Sequence, residues 1–216
     1  MKKLSKQQKV WLSLSVLSLV VFVVFTVIVA LVDVDQVGLS HLNRFFWRAC
    51  GRNGIWERLT DWIGYAVILS MVGLIVWQII QWVMRKSLRR VDVNLLLMDL
   101  IFGCLVVVYL FFEIVVVNYR PELENGVAKA SYPSSHAMLF ATVLPLLIWQ
   151  VWHYIQNKPW RIVLTVLLVV VLLIGVVGRL LSGVHWFTDI LGGMLISVSF
   201  VCLYLFVVGY FSKHEN

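Results

Sequence analysis

The chain has 216 residues, of which 61% are hydrophobic and only 13% charged, and its formal net charge is +7. Because about a quarter of the residues in soluble domains are charged, this composition excludes an ordinary soluble protein and predicts a polytopic membrane protein. The basic residues lie in short connections between apolar runs, which the positive-inside pattern explains better than nucleic-acid binding does. We therefore expect the lipid bilayer, and no nucleic acid, as the partner of a single domain covering residues 1–216.

Six apolar runs are long enough for transmembrane helices, since about 20 apolar residues cross the hydrocarbon core. The first run follows a lysine-rich start and is too long for a cleaved signal peptide, so we interpret it as a retained signal anchor. The fold class is therefore predicted to be all-α. The predicted spans are residues 10–32, 62–84, 93–118, 137–155, 162–178 and 190–212.

The connection between the first two spans, residues 33–61, is longer than the others. Arg44, Arg48 and Arg52 occur in it at helical spacing beside aromatic residues. This pattern favours a short amphipathic helix in the membrane interface. We interpret the helix as a connector rather than as a gate for substrate.

The distribution of lysine and arginine predicts the orientation. With six spans, both termini and the second and fourth connections face one side, and that side carries 11 of the 18 basic residues. The positive-inside pattern places this side in the cytoplasm. The third and fifth connections then face outward from a cell membrane, which we interpret as a bacterial plasma membrane.

The fifth connection carries the strongest chemical signal. Residues 178–193 place Arg179, His185 and Asp189 at a boundary between two apolar runs. His185 and Asp189 are four residues apart and would share one helix face, so the carboxylate can hold one imidazole nitrogen and leave the other free to attack. The planar fork of Arg179 suits a phosphate, because it binds oxyanions with two parallel hydrogen bonds.

A second cluster lies in the third connection, on the same predicted side. It consists of Arg120 before a proline and, after another proline, Ser134, Ser135 and His136. Singly, such residues are more often packed, solvated or interfacial than catalytic. Together they indicate phosphoryl transfer, because ionisable residues at membrane depth are costly and tend to be functional.

The order of these motifs is informative: Arg-Pro, then Pro-Ser-Ser-His, then Arg-x5-His-x3-Asp. It resembles the three-part signature of the type 2 phosphatidic-acid phosphatase superfamily, which includes membrane lipid phosphatases, soluble acid phosphatases and vanadium haloperoxidases. The resemblance lies within residues 113–189 and implies the helical core of those proteins. The six-span pattern matches the membrane branch.

The resemblance also implies a role for each matching position. His185 would attack phosphorus and form a phosphohistidine, Asp189 would orient it, and His136 would protonate the leaving oxygen. The phosphate-binding residues would be Arg120, Arg179, Ser134 and Ser135. The implied reaction requires neither metal nor cofactor, and the sequence has no extra carboxylate cluster to hold a metal.

The expected protein is thus a metal-independent membrane phosphatase with an extracytoplasmic site and cytoplasmic termini. Undecaprenyl pyrophosphate, phosphatidylglycerol phosphate and phosphatidic acid are all compatible lipid substrates, and an outward site favours lipid-carrier recycling. The alternative is a divergent, non-catalytic member that binds a lipid or protein partner. No sequence feature specifies an oligomeric state.

Three positions depart from the family pattern: Glu113, Ser135 and Gly178. The family has a lysine at the position of Glu113, six intervening residues before Arg-Pro, so a potential anion replaces a cation that faces phosphate. Glu113 can pair with Arg120 or another basic residue, can face a substrate group other than phosphate, or can mark a weak or inactive member. A serine in place of the motif glycine, at Ser135, and a glycine in place of a serine, at Gly178, are expected to matter modestly.

Overall fold

The computed structural model describes residues 4–32, 37–87, 90–124 and 126–211. In these residues the chain forms seven α-helices and two isolated β-bridges, without a β-strand. The helices are α1 (Lys6–Leu31), α2 (Ser40–Cys50), α3 (Gly54–Arg85), α4 (Val93–Ile114), α5 (Ser135–Tyr154), α6 (Lys158–Leu181) and α7 (Phe187–Phe211). All but α2 are long and apolar enough to cross a membrane, which confirms the predicted all-α fold with six spans.

Two helix ends differ from the predicted spans in ways that affect the site. Helix α3 begins at Gly54 rather than at residue 62, because the side chain of Asn53 accepts hydrogen bonds from the backbone N–H groups of the next turn and caps the helix. Helix α4 ends at Ile114 rather than at residue 118. The first difference places Asp61 on a helix, and the second leaves Asn118 in a loop.

Helix α7 is at the centre of the bundle and contacts α1, α2, α4, α5 and α6. Glycines allow this close approach. A Cβ atom at Gly192 of α7 would lie 2.5 Å from the buried ring of Tyr132, and one at Gly175 of α6 would lie 2.6 Å from the ring of Phe140. Large side chains of the α5 region therefore fill space that glycines leave open on α6 and α7.

The predicted connector helix forms as α2, which contains Arg44 and Arg48 but ends before Arg52. Asn43 in this helix is fully buried. Its side chain donates to the Thr188 hydroxyl at 2.9 Å and accepts from the Thr188 backbone N–H at 3.0 Å. These two hydrogen bonds fix α2 to the first turn of α7.

Gly178, one of the departures from the family pattern, lies where α6 crosses α3. A Cβ atom there would lie 2.8 Å from the methyl carbon of Thr60 and 2.9 Å from the ring of Trp56. A serine would therefore force α3 and α6 apart. In this chain the glycine allows α3 to pack directly beside Arg179.

Candidate active site

The predicted site residues meet at one end of the bundle. Helices α3, α5 and α7 begin at this end, and α4 and α6 finish there. The loop after α4 adds Arg120, and the turn between α6 and α7 adds His185. The two motif clusters, which lie far apart along the chain, thus form one site.

His185 precedes α7, which begins at Phe187. Contrary to the sequence prediction, His185 and Asp189 do not share a helix face. The turn nevertheless brings Nδ1 of His185 to 3.6 Å from Oδ2 of Asp189. Gly183 permits this tight turn because its φ is +66°, and a Cβ atom there would also lie 1.9 Å from the carbonyl oxygen of Gly51.

The carboxylate of Asp189 is fully buried and accepts three hydrogen bonds. Oδ1 accepts from the side-chain amide of Asn118 at 3.0 Å. Oδ2 accepts from the backbone N–H of Trp186 at 2.9 Å and from the hydroxyl of Ser131. Because Asp189 is in the first turn of α7, the helix dipole also stabilises its negative charge. These contacts fix the carboxylate beside His185.

Ser131 determines which nitrogen of His185 is available. Nδ1 is 3.1 Å from the carbonyl oxygen of Ser131 and 3.2 Å from its hydroxyl. Since a carbonyl can only accept, Nδ1 carries the proton and Nε2 keeps its lone pair. Nε2 is buried and has no hydrogen-bond partner in the described part of the chain. It is therefore the nitrogen available for nucleophilic attack.

A cavity of about 370 Å³ lies at the same end of the bundle. Its polar side is lined by Arg120, Arg179, His136 and Ser135 and by the carboxylates of Glu57, Asp61 and Glu124. Helices α3, α4 and α5 form its apolar side, through Ile68, Phe102, Leu105, Val106 and Leu139. A narrower cleft connects Arg120 and Ser135 to His185. The cavity can thus accept an anionic group at its polar side and an apolar group between the helices.

Arg179 is only 3% exposed and is held from α3. Its Nη1 donates to Oδ1 of Asp61 at 3.0 Å and to the hydroxyl of Thr60 at 3.2 Å. Its Nε is buried and has no partner among the described residues. Helix α3 therefore fixes the guanidinium through one nitrogen and leaves another for an anion.

Arg120 has a different acidic partner from the one the sequence suggested. Its Nη1 is 2.8 Å from Oε2 of Glu124, and Lys129 contacts the other carboxylate oxygen at 3.0 Å. The hydrogen bond from Lys129 holds the pKa of Glu124 below its usual value, so this carboxylate stays charged. Glu124, rather than Glu113, forms the ion pair with Arg120.

Glu113 is exposed at the end of α4. It lines a second cavity, of about 410 Å³, with Arg120, Tyr119 and Lys129. Among the described ion pairs, those of Arg120 and Lys129 go to Glu124. The structure thus places Glu113 near the basic residues without giving it the ion pair that the sequence suggested.

The two serines of the second motif occupy different places. Ser134 is fully buried, its hydroxyl caps α5 by accepting from the backbone N–H of Ala137, and its own N–H donates to the carbonyl oxygen of Asp189. Ser135 is partly exposed and lines both the cavity and the cleft. Ser134 therefore connects α5 to α7, while Ser135 faces the space that an anion can enter.

Sequence reasoning missed Asp61, Ser131 and Asn118. Asp61 was assigned to a connection, although Asn53 followed by the acidic Glu57 is a recognisable helix start. Ser131 and Asn118 are isolated polar loop residues, and nothing in their spacing indicates contact with Asp189.

The described residues contain no group of three or more His, Cys, Asp or Glu side chains that could hold a metal ion. The polar side of the cavity combines two arginines and His136 with three carboxylates, and His185 lies at the adjoining cleft. The two arginines suit an oxyanion. Fold and site together define a six-span helical membrane protein with a cavity at one end that is lined by arginines and carboxylates.

Comparison with known proteins identifies the family. The sequence matches the model of the PAP2 superfamily over residues 65–213. Because the match covers more than half of the chain, the protein belongs to this superfamily of type 2 phosphatidic-acid phosphatases. With its six membrane-length helices it is a multi-pass membrane protein of the lipid-phosphatase class.

The fold is similar to that of a transmembrane PAP2-type phosphatidylglycerolphosphate phosphatase from Bacillus subtilis. The TM-score is 0.66, with 19% sequence identity, over 93% of this chain and 96% of that chain. A comparison with curated protein sequences gave no match.

Proposed function

We propose that the protein hydrolyses a membrane lipid phosphate or pyrophosphate through a phosphohistidine intermediate at an extracytoplasmic site. One observation carries this proposal: Arg120, Arg179, His136 and Ser135 line a cavity whose other side is apolar, and His185 lies at the cleft beside it. Such a cavity suits a phosphate head group attached to an apolar tail. The reaction needs no metal.

In the first step, Nε2 of His185 attacks phosphorus and the bond to the leaving oxygen breaks. The electron pair goes to that oxygen, which takes a proton from His136. Arg120 and Arg179 stabilise the equatorial phosphoryl oxygens, where charge concentrates in the transition state. Asp189, through its buried carboxylate, stabilises the positive charge that develops on His185.

In the second step, water attacks phosphorus while His136, now neutral, accepts a proton from it. The bond between phosphorus and Nε2 breaks, and the electron pair returns to His185. Inorganic phosphate leaves, and both histidines regain their initial protonation states.

The candidate substrates are phosphatidylglycerol phosphate, undecaprenyl pyrophosphate and phosphatidic acid. The structural neighbour from Bacillus subtilis acts on phosphatidylglycerolphosphate, which puts that lipid first in an assay. Phosphate release from each lipid by purified protein in chelator tests the proposal. Release of phosphate supports a metal-independent phosphatase, whereas tight lipid binding without release supports the non-catalytic alternative.

The acidic limb of the pH profile tests His185. Burial lowers the pKa of its imidazole below 6.5, and Arg179 adds to the effect, although Asp189 opposes it. A lowered pKa keeps the imidazole neutral as the pH falls, so kcat/KM for phosphate release is expected to remain high through pH 6.5 and to decline only at more acidic pH. Titration of the substrate is recorded separately by phosphorus NMR. A decline centred at or above pH 6.5 that the substrate does not explain would contradict this assignment.

The orientation predicts a labelling pattern. The site end of the bundle contains the third and fifth connections, and the opposite end carries basic residues such as Arg85, Lys158 and Arg161. On a background without native cysteines, a cysteine at Glu122 or Trp186 is expected to react in intact cells with an impermeant thiol reagent. A cysteine at Lys158 is expected to react only after the membrane is opened. The reverse pattern would place the site in the cytoplasm.

Variants of Glu113 distinguish its possible roles. Glu113 lies beside Arg120 without an ion pair to it among the described residues, so Glu113→Gln is expected to change the rate of phosphate release by less than about threefold. Glu113→Lys adds a cation to the second cavity and to the cleft that leads to His185, so it is expected to lower KM for an anionic head group, an effect that added salt reduces. A large loss in both variants would show instead that the carboxylate supports the site.

A further inference from the structure

We propose that Asp61 is a positioning residue for His136: its carboxylate, with the space that Gly64 leaves open, holds the imidazole at the cavity and stabilises its protonated form. This inference deepens the proposed function and rests on it. It assigns a role in the reaction to α3, which carries none of the three sequence motifs.

A single oxygen of Asp61 contacts both functional groups. Oδ1 is 3.3 Å from Nε2 of His136 and 3.0 Å from Nη1 of Arg179. The contact with His136 is the longer of the two, so the Nε2–H group of His136 can still turn toward a leaving oxygen. The carboxylate therefore fixes the distance between the proton donor and the arginine that holds the phosphoryl group.

His136 needs such a carboxylate because cationic side chains surround it. The described charged and titratable groups around it are Asp61, Glu57 and Tyr65 on α3, Tyr109 on α4, Arg179 on α6, Arg120 and Glu124 after α4, and His185 before α7. Glu57 pairs with Arg52, and Glu124 pairs with Arg120 and Lys129. Among the described ion pairs, the one that reaches the imidazole comes from Asp61. An opposite charge at this distance favours the imidazolium that a general acid requires.

The geometry at Arg179 argues against a different interpretation, in which Asp61 occupies the place of the substrate phosphate. Asp61 and Thr60 share Nη1, while Nε is left without a partner among the described residues. A carboxylate that replaced a phosphate would be expected to engage two nitrogens of the fork. Asp61 instead orients the guanidinium and leaves Nε for the phosphoryl oxygen.

Gly64 lies one turn after Asp61 on α3 and gives the ring of His136 its space. A Cβ atom at this position would lie 3.1 Å from Cδ2 and 3.2 Å from Nε2 of the imidazole. Asp61 and Gly64 both precede residue 65, where the match to the family model begins. The α3 side of the contact therefore lies outside the matched region, and His136 lies within it.

A set of single and double variants tests the proposal. Rates are measured on a lipid phosphate, whose leaving oxygen needs a proton, and on an activated aryl phosphate, which does not. Asp61→Asn is expected to lower kcat at least tenfold on the lipid phosphate and much less on the aryl phosphate. In the His136→Ala background, Asp61→Asn is expected to lose its effect through His136 and to keep only the smaller loss that comes through Arg179, which both substrates share.

Gly64→Ala gives an independent readout. Its methyl group requires the ring of His136 to move by a few tenths of an ångström, so a smaller loss with the same selectivity for the lipid phosphate is expected. In the His136→Ala background there is no ring to displace, and the same substitution is expected to be harmless. Gly73→Ala, on the same helix with open space around the Cβ position, and Asp99→Asn, a membrane-level carboxylate toward the opposite end, are the matched controls.

Histidine NMR tests the contact without requiring turnover. Asp61→Asn is expected to move the titration of His136 to lower pH and to leave that of His153, at the opposite end of α5, unchanged. An unchanged His136 titration in Asp61→Asn would overturn the proposal. The proposal would also be overturned if Asp61→Asn lost the same activity on both substrates and this loss added to that of His136→Ala. If the wild type is inactive but Asp61→Asn still moves the titration of His136, the proposed function is refuted and the contact between Asp61 and His136 is retained.

Discussion

Replacing His185 with alanine is expected to reduce phosphate release by about 10⁴-fold or more, since removal of a nucleophile leaves only binding and electrostatic stabilisation. The fold is expected to survive. Nε2 has no hydrogen-bond partner among the described residues, and the contacts that join α5, α7 and the loop after α4 are made by Ser131, Ser134 and Asp189. Rates are measured with initial phosphate release, and folding is checked by size exclusion and thermal unfolding in detergent.

His153→Ala is the control, because His153 is exposed at the opposite end of α5, where it contacts Asn94. Rapid quenching of a reaction with labelled substrate is expected to give a phosphoprotein in the wild type and none in His185→Ala. A labelled adduct on any other residue, or a variant that keeps the wild-type rate, would refute the assigned nucleophile.

The architecture could be predicted from the sequence because hydrophobic length is a strong signal. The six spans follow from apolar runs, and the ionisable residues at their ends indicate where the chemistry lies. The motif spacing also predicted that Arg120, His136, Arg179 and His185 belong to one site. The structure brings these four residues together around the cavity and the adjoining cleft.

The partners of these residues could not be predicted in the same way. Ser131 and Asn118 contact Asp189 across 58 and 71 residues of sequence, and a lone serine or asparagine in a loop carries no periodic signal. The position of Asp61 on a helix could not be predicted, because hydropathy identifies only the membrane-spanning part of a helix. Asn53 caps α3 before that part begins. The Glu124 partner of Arg120 depends on the hairpin-like loop after α4.

Asp189→Asn is expected to produce the second large effect, a loss of about 10³- to 10⁴-fold in the rate of phosphate release, comparable to loss of the orienting carboxylate in other histidine-based sites. All three partners of this carboxylate, Ser131, Asn118 and Trp186, donate to it. An asparagine amide turns its NH₂ group toward at least one of these donors, which leaves a buried polar group unsatisfied at a cost of about 1–3 kcal/mol. The variant also loses the negative charge that stabilises imidazolium at His185.

Two comparisons separate the catalytic loss from the structural one. Ser131→Ala removes one donor to the carboxylate and keeps the charge, so it is expected to lower thermal stability while reducing the rate far less than Asp189→Asn does. Asp99→Asn, on α4 away from the site, controls for neutralising a carboxylate at membrane depth. If Asp189→Asn is as stable as Ser131→Ala and retains more than about a tenth of the wild-type rate, the carboxylate does not activate His185. The contacts of Nδ1 with the hydroxyl and with the carbonyl oxygen of Ser131 would then be sufficient to orient the imidazole.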